Sequence, residues 1–482
     1  MTGLAPGNYG DLAAPVPDPR DLSIGQVHLG LGAFHRAHQA VYTTEAMAAT
    51  GDHRWGIAAF TQRRPDAARI LHAQQGLYTV VETGPGSGAH RIIPAILEAA
   101  DGSDDTGTLL ARLCDPQVQV VTLTVTEKGY RHDPVTRRLN MNDPLVQADL
   151  GSGQVHSVPG ILAHALHRRA VAGATPLTIV SCDNLPDNGG LLRGLVTEFA
   201  SAAGLDIDGG ATFPATMVDR IVPATTRAMV DEFTARHGVT DAALVMCEPF
   251  RQWVISNDFA GPVPAWAQVG ATLVADTANW ESLKLRVLNA SHSILAYLGL
   301  RLGYHRISDA VSDAALAQLC TDFINSEVSP TIEAPEGVSA SEYGAAVLSR
   351  FTNPALPHTT AQVASDGSQK IGPRLFETVT RCRAAGITPR HAALGVAGWV
   401  LHVREPQTAD GVPTELVDPL AADLRSLVAG ASAADAAQIL LRDRRIASEQ
   451  LADDAEFVSL VAEYATNLDR HGRAALITEV TH

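Results

Sequence analysis

The sequence has little of what marks a secreted, membrane-bound or nucleic-acid-binding chain. Its 482 residues include only five cysteines (Cys114, Cys182, Cys247, Cys320 and Cys382), odd in number, far apart and never in a Cys-x-x-Cys pair. This excludes a disulfide framework and leads us to expect reduced thiols in a cytoplasmic protein. The opening MTGLAPGNYGDLAAPVPDPR has no basic stretch followed by an apolar one, so it does not read as a signal peptide. The longest apolar run, around residues 392–403, is too short to span a bilayer and reads as a buried helix. Basic residues are not in excess: 36 Lys and Arg stand against 52 Asp and Glu, a formal charge of −16. That balance argues against nucleic acid or an anionic membrane as the main partner, yet a few local cations could still hold a small anionic substrate. No internal repeat or low-complexity tract is visible. The oligomeric state is left open.

What is present is ordinary globular composition, 46% hydrophobic and 18% charged, in a chain long enough for more than one domain. The first twenty or so residues, rich in Pro and Gly, read as an extended arm. From Val27 to about Ala275, short β-branched runs alternate with amphipathic stretches. VHLGL (27–31), WGIAAF (55–60), YTVVE (78–82), VQVVTLTV (118–125), LTIVSCDN (177–184) and ALVMCEP (243–249) are predicted strands. Helices are predicted to start at His35, Pro65, Gly107, Ile161, Gly190 and Thr226. Apolar strands separated by helices indicate an α/β domain with a mostly parallel sheet covered on both faces. After about Thr277 helical periodicity dominates, over 280–302, 313–328, 342–351, 374–385, 391–404, 415–428 and the tail. The expected organisation is an α/β domain over 1–276, arm included, and a mainly α-helical domain over 277–482.

Val27-His28-Leu29-Gly30-Leu31-Gly32-Ala33-Phe34-His35-Arg36 reads as a strand, a glycine turn and a helix start. Gly30 permits the tight turn, and Gly32 lets backbone approach a pyrophosphate at the positive end of the helix. Residues 33–36 (Ala33, Phe34, His35, Arg36) follow as expected cofactor contacts. The usual third glycine is missing and His35 stands in its place, so the pattern gains its weight from lying on the first strand of an α/β half. Beyond the second strand comes Thr61-Gln62-Arg63-Arg64-Pro65-Asp66. Asp66 could accept from a ribose 2′-hydroxyl, favouring NAD, whereas Arg63 or Arg64 could hold the 2′-phosphate of NADP. A solvated charged turn is the third possibility. NAD is the expected cofactor, with NADP not excluded.

Residues 280–292 contain no helix breaker. At about 100° per residue, Glu281, Lys284, Asn289 and His292 share one face, with Asn289 about 140° from Lys284, and Leu288 lies among them. Oxidation of a carbinol needs a base for the hydroxyl proton while a hydride leaves for nicotinamide. A lysine serves when burial or a neighbouring cation lowers its pKa. An Asn amide can donate to the oxygen as charge develops, and a His can hold the hydroxyl in register. Glu281, one turn before Lys284, could relay the proton to solvent. Spacing alone leaves open an exposed Lys–Glu pair with a helical Asn and a core His.

Seven stretches then stand out in order: HLGLGAFHRAHQAVY (28–42), LTVTEKGY (123–130), SCDNLPDNG (181–189), FPATMVDRIVP (213–223), CEPFRQWVI (247–255), KLRVLNASHSILAYLG (284–299) and DGSQK (366–370). In these the sequence resembles the polyol-specific long-chain dehydrogenases, a family that includes mannitol 2-dehydrogenase, fructuronate reductase (D-mannonate oxidoreductase) and tagaturonate reductase. The resemblance covers nearly the whole chain. It implies a Rossmann-like N-terminal domain, a helical C-terminal domain and a metal-independent dehydrogenase. It also implies Lys284 as general base, Asn184 and Asn289 as oxyanion stabilisers, His292 and Asp219 as substrate contacts, and Glu281 at the proton exit. Asn184 comes from the other domain, so catalysis is expected in a cleft between domains.

Substrate choice turns on whether a carboxylate must be held. Lys128, Arg251, Lys370 and Arg374 are cations near these motifs, and Arg binds a carboxylate bidentately. TEKGY and EPFRQW resemble fructuronate reductases, whereas a typical mannitol enzyme is neutral at both places. The expected substrate is therefore D-fructuronate/D-mannonate. The alternatives are a polyol dehydrogenase for mannitol or arabinitol, and an idle nicotinamide-binding sensor. Lys128 and Arg251 could instead be structural ion pairs. His35 and His38 lack the partners of a zinc set, and Ser291-His292-Ser293 lacks the surrounding glycines of a nucleophile elbow.

Overall fold

The apolar runs of the N-terminal half are too short for core helices and too apolar for a surface, and in the computed structural model they align as a sheet. The structure describes residues 3–84, 88–134, 136–152, 154–356 and 358–476. Twelve strands are described: β1 (Ile24–Leu29), β2 (Gly56–Thr61), β3 (Tyr78–Glu82), β4 (His90–Ile93), β5 (Ile96–Asp101), β6 (Val120–Leu123), β7 (Leu177–Ser181), β8 (Ala211–Thr212), β9 (Thr216–Asp219), β10 (Val245–Cys247), β11 (Gln252–Ser256) and β12 (Thr272–Val274). The main sheet runs β5-β2-β1-β6-β7-β8, every neighbour pair parallel. This is the doubly wound, Rossmann-like arrangement, and its order reverses between β1 and β6, where such sheets open a crevice at their carboxyl ends.

Alternate residues of each strand feed opposite faces. Val27, Leu29, Phe60, Val121, Leu123 and Ile179 pack with helices Thr106–Leu113, Val158–Val171 and Asn188–Ala203. Ile57, Ala59, Val120 and Val180 pack on the other side with helices Gln39–Thr50 and Asp66–Ala73. Both faces are thereby sealed, and the site is left to the strand ends.

Two predicted strands lie elsewhere. YTVVE and ALVMCEP pair with each other in a second sheet, β10-β3-β4, and the edge place in the main sheet belongs to β5. The sequence of β5, ILEAAD, carries two acidic residues and two alanines among its six, as suits an edge strand, and gives little of the apolar signal. β9 and β11 form an antiparallel pair, continued by β12, in a third sheet. The helix predicted to start at His35 is divided at His38 into Ala33–Ala37 and Gln39–Thr50.

By its internal contacts the chain divides into two compact units, Met1–Ala278 and Asn279–His482. The second is helical, and its core is built on Ala290–Arg301 and Arg390–Arg404, helices buried on nearly all sides. Three predicted helices contain a π-helical segment, at Lys284–Asn289, Phe323–Val328 and Gly372–Phe376. The predicted helix over 415–428 is limited to Ala421–Leu427. The tail forms Ala433–Arg442, Glu449–Ala452 and Ala455–His471, while residues 477–482 lie outside the described residues. Among the described residues, no helix is long and apolar enough to cross a membrane.

Candidate active site

In the first unit, the ends of β1, β2 and β6 surround a cleft of about 480 Å³ whose lining includes Gly30, Gly32, Arg63, Arg64, Thr126 and Arg131. Gly30 sits at φ 97°, and a Cβ there would fall 2.1 Å from the Thr124 carbonyl oxygen. Only glycine fits. Gly32 is different: a Cβ would meet nothing closer than 3.6 Å. The protein's own packing does not require a glycine at 32, and the space beside it belongs to the cleft. A glycine turn at the switch point of a parallel sheet, with room beside the second glycine, fits a dinucleotide pyrophosphate.

The other expected cofactor contacts are placed less simply. His35 is fully buried and stacks on His28 at 3.3 Å, so its ring faces the core beneath the turn. Burial drives its pKa well below the ordinary value. Arg36 reaches away to the Ala243 carbonyl and lies over the Tyr78 ring. Phe34 stacks on His38, and Ala33 opens the short helix Ala33–Ala37. None of residues 33–36 lines the cleft. Asp66 does not line it either; its exposed carboxylate sits 3.5 Å from Arg64. Arg63 and Arg64 do line it.

Asn184 is exposed just past β7, and Asp219 ends β9 at 7% exposure. The side chain joining these two segments was not expected from sequence. Asn188 donates to the Asp183 and Thr216 carbonyls at 2.9 and 3.0 Å and accepts from the Thr216 N–H at 2.9 Å. It thus ties the start of β9 to the loop bearing Asn184. Its only sequence signal is the turn-rich DNLPDNG. Lys128 is exposed on the turn Glu127–Tyr130. Arg251 is already engaged: its guanidinium grips both carboxylate oxygens of Glu45 and lies 4.4 Å from the centre of the Tyr42 ring.

In the second unit, Lys284 and Asn289 are 8% and 6% exposed and bound the π-helical segment Lys284–Asn289. The α-helical angle of about 140° between them does not apply, because a π turn closes i→i+5 and narrows the angle between residues five apart. Glu281 is partly buried one turn earlier, on Ala278–Leu283. The His292 ring stacks on Phe351 at 4.6 Å and on His358 at 5.7 Å, and its Nε2 has no hydrogen-bond partner among the described residues. Burial first, then the charges of His358, Arg374, Arg350 and Lys370, push its pKa well below the ordinary value. Arg374 donates to Ser293 Oγ at 2.9 Å, beside His292. Lys370 donates to the Ser365 carbonyl at 2.7 Å and pairs with Asp366 at 3.5 Å. Burial lowers the pKa of both cations. Of the chain's 36 basic residues only three are lysines, Lys128, Lys284 and Lys370. Among the described residues, no group of three or more His, Cys, Asp or Glu is placed to hold a metal ion.

Comparison with known proteins agrees with this architecture. Residues 24–268 match the mannitol dehydrogenase Rossmann domain, and residues 276–469 match the mannitol dehydrogenase C-terminal domain. The oxidoreductase YeiQ of Escherichia coli (strain K12) is 39% identical over 457 residues, 93% of each chain. The D-mannonate oxidoreductase of the same organism is 40% identical over 489 residues, covering 98% of this chain and 99% of that one. Among solved structures, a Pseudomonas fluorescens mannitol 2-dehydrogenase in ternary complex with NAD and D-mannitol superposes with a TM-score of 0.86 at 31% identity, covering 100% of this chain and 99% of its own. With both domain models matched in order and full-length relatives near 40% identity, the chain belongs to the mannitol dehydrogenase family of oxidoreductases.

Proposed function

We propose that this chain is a nicotinamide-dependent secondary-alcohol dehydrogenase interconverting a sugar acid and its keto form, with D-mannonate and D-fructuronate as the pair. The observation that carries the proposal is the cluster of cations around His292, where Lys370 and Arg374 lie partly buried in the same unit as Lys284. Partly desolvated cations pair more strongly with a carboxylate than with a hydroxyl. The D-mannonate oxidoreductase relative supports the same substrate.

Lys284, in its neutral form, takes the proton from the carbinol hydroxyl, and Asn289 from the same π turn donates to the oxygen as it gains negative charge. Asn184 contributes a second amide donor, and Asp219 accepts from a neighbouring hydroxyl. His292, held neutral by its surroundings, orients the reacting hydroxyl, and Glu281 passes the proton to solvent. When bound, the nicotinamide ring takes up the hydride that leaves the carbinol carbon. Gly30 and Gly32 make room for the dinucleotide's pyrophosphate. NAD is the proposed cofactor, supported by the NAD complex of the Pseudomonas relative; Arg63 and Arg64 in the cleft lining give a 2′-phosphate a place to bind, so NADP is accepted as well.

One observation favours a second reading, a polyol dehydrogenase: Arg251, one of the four expected carboxylate ligands, is occupied by Glu45. A panel of D-fructuronate, D-fructose and D-mannitol, assayed with NADH, NADPH and their oxidised forms, separates the two. Turnover of D-fructuronate with kcat/KM well above that of D-fructose supports the sugar-acid assignment; the reverse order sinks it.

A further inference from the structure

β6 and its neighbour β7 end level with each other, so residues 124–126 and 182–184 leave the sheet side by side. Within the first segment Thr126 holds φ 64° and ψ 162°. That region is essentially reserved for glycine, and a β-branched side chain suits it poorly. Such a conformation persists only where the surroundings over-determine it, and the constraint here is visible. The N–H groups of Val125 and Thr126 donate to the two carboxylate oxygens of Asp183 at 3.0 and 2.8 Å. Tyr130, which closes the turn following Thr126, donates its hydroxyl to the same carboxylate at 2.8 Å. The turn is drawn in so closely that a Cβ on Gly129 would lie 2.8 Å from the Val125 side chain.

The segment held this way shapes the cleft. Val125, Thr126 and Gly129 line it, and Thr124 donates its hydroxyl to the Gly30 carbonyl at 2.8 Å. Asp183 is itself buried, and burial raises its pKa even though these hydrogen bonds pull the other way. Asn188 donates to the Asp183 carbonyl at 2.9 Å, and Asn184 follows directly in the chain.

We infer that Asp183 is a positioning residue for the cofactor: its carboxylate clamps the 125–126 main chain, forcing Thr126 into a glycine-like conformation that sets the shape of the dinucleotide cleft. The inference rests on that cleft being the nicotinamide-dinucleotide site. Asp183→Asn tests it, because an amide accepts through one atom only and turns its own N–H groups toward the other donor. Fluorescence titration with NADH, alongside steady-state rates, should show Kd and KM for NADH raised about tenfold or more, with kcat at saturating cofactor changed less than about threefold. Adding Thr126→Gly should bring Kd back to within about threefold of the Thr126→Gly single variant, since glycine adopts the required φ without a clamp. A general loss of packing would lower the melting temperature but would not be repaired at position 126.

An unchanged Kd in Asp183→Asn, or a loss that Thr126→Gly leaves untouched, overturns the inference. If Asp183→Asn does not fold, Tyr130→Phe replaces it. A severalfold rise in NADH Kd with kcat preserved supports the clamp, and unaltered binding overturns it. A wild-type protein that binds neither NADH nor NADPH overturns the cofactor assignment and the clamp together, whereas wild-type binding with an indifferent Asp183→Asn removes only the clamp.

Discussion

Replacing Lys284 with methionine removes the amine while keeping an unbranched stem of similar length, which separates chemistry from packing. Lys284 is 8% exposed, so its stem is part of the packed interior of its unit. Truncation to alanine strips three methylenes at about 0.8 kcal/mol each, a loss of roughly 2–3 kcal/mol, whereas Lys284→Met should cost less than about 1.5 kcal/mol. A positioned proton acceptor contributes about 10²–10⁴-fold to rate, equivalent to about 3–5 kcal/mol of barrier. Both variants should therefore lose kcat to the same extent while differing in thermal stability. NADH absorbance gives initial rates with D-fructuronate across a pH series, and thermal melts give the stability difference. Added primary amines should recover part of the Lys284→Ala rate, because a diffusing base can enter the space left behind. Lys284→Met retaining more than about a tenth of wild-type kcat, with substrate and cofactor saturating, would refute the base assignment. So would a loss of rate that followed the loss of stability from one variant to the other.

Three further outcomes are expected. Gly30→Ala should prevent folding or abolish cofactor binding, since its Cβ would strike the Thr124 carbonyl at 2.1 Å, whereas Gly32→Ala should fold normally and raise the cofactor KM; melting curves beside NADH titrations check both. Arg374→Ala should raise KM for a sugar acid about tenfold or more while moving KM for a polyol far less, and equal effects on both would remove Arg374 from carboxylate recognition. Acidification should destabilise the fold. Burial holds His402 down at about 4 and His28 at about 3, so below the ordinary 6.5 the unfolded chain takes up protons that the folded chain refuses. That stability is present above pH 6.5 and lost as pH falls toward the folded values, about 3 kcal/mol for His402 alone. Asp183 and Asp241, raised by burial, work the other way, but only between their ordinary 3.8 and their higher folded values. Melting temperatures that stay flat from pH 7 to about 4.5 would contradict this.

Much of the N-terminal unit was legible because its signals are local. Continuous apolar strands, a glycine turn and helix starts can each be read within ten residues. What escaped depends on partners distant in sequence. ILEAAD becomes the edge strand β5 only because β2 offers it a neighbour, and its two carboxylates weaken the local pattern. β9, which carries Asp219, is four residues long and is held by β11 across an antiparallel pairing more than thirty residues away. The occupation of Arg251 by Glu45, 206 positions earlier, is equally invisible in EPFRQW. Asp183 and Asn184 illustrate the limit well: adjacent residues of similar shape, one spent on the main chain of a strained turn and the other exposed past the strand end.

The helix proposed to carry the chemistry shows what spacing alone leaves out. At α-helical pitch Lys284 and Asn289 diverge by about 140°, too far to act on one oxygen atom. The π turn between them removes most of that divergence, at the expense of regular i→i+4 hydrogen bonding over one turn. A second π-helical segment, Gly372–Phe376, includes Arg374, and Pro373, which has no N–H to give, sits at its start. Arg374 then reaches Ser293 on the continuation of the Lys284 helix. Two local unwindings thus redirect the proposed base Lys284, the Asn289 amide and the Arg374 guanidinium, the last of which reaches Ser293. A π turn gives up regular i→i+4 bonding, and Phe323–Val328 shows that this fold accepts one where no proposed site residue lies, so at Lys284–Asn289 and Gly372–Phe376 its consequence is the changed direction of Lys284, Asn289 and Arg374.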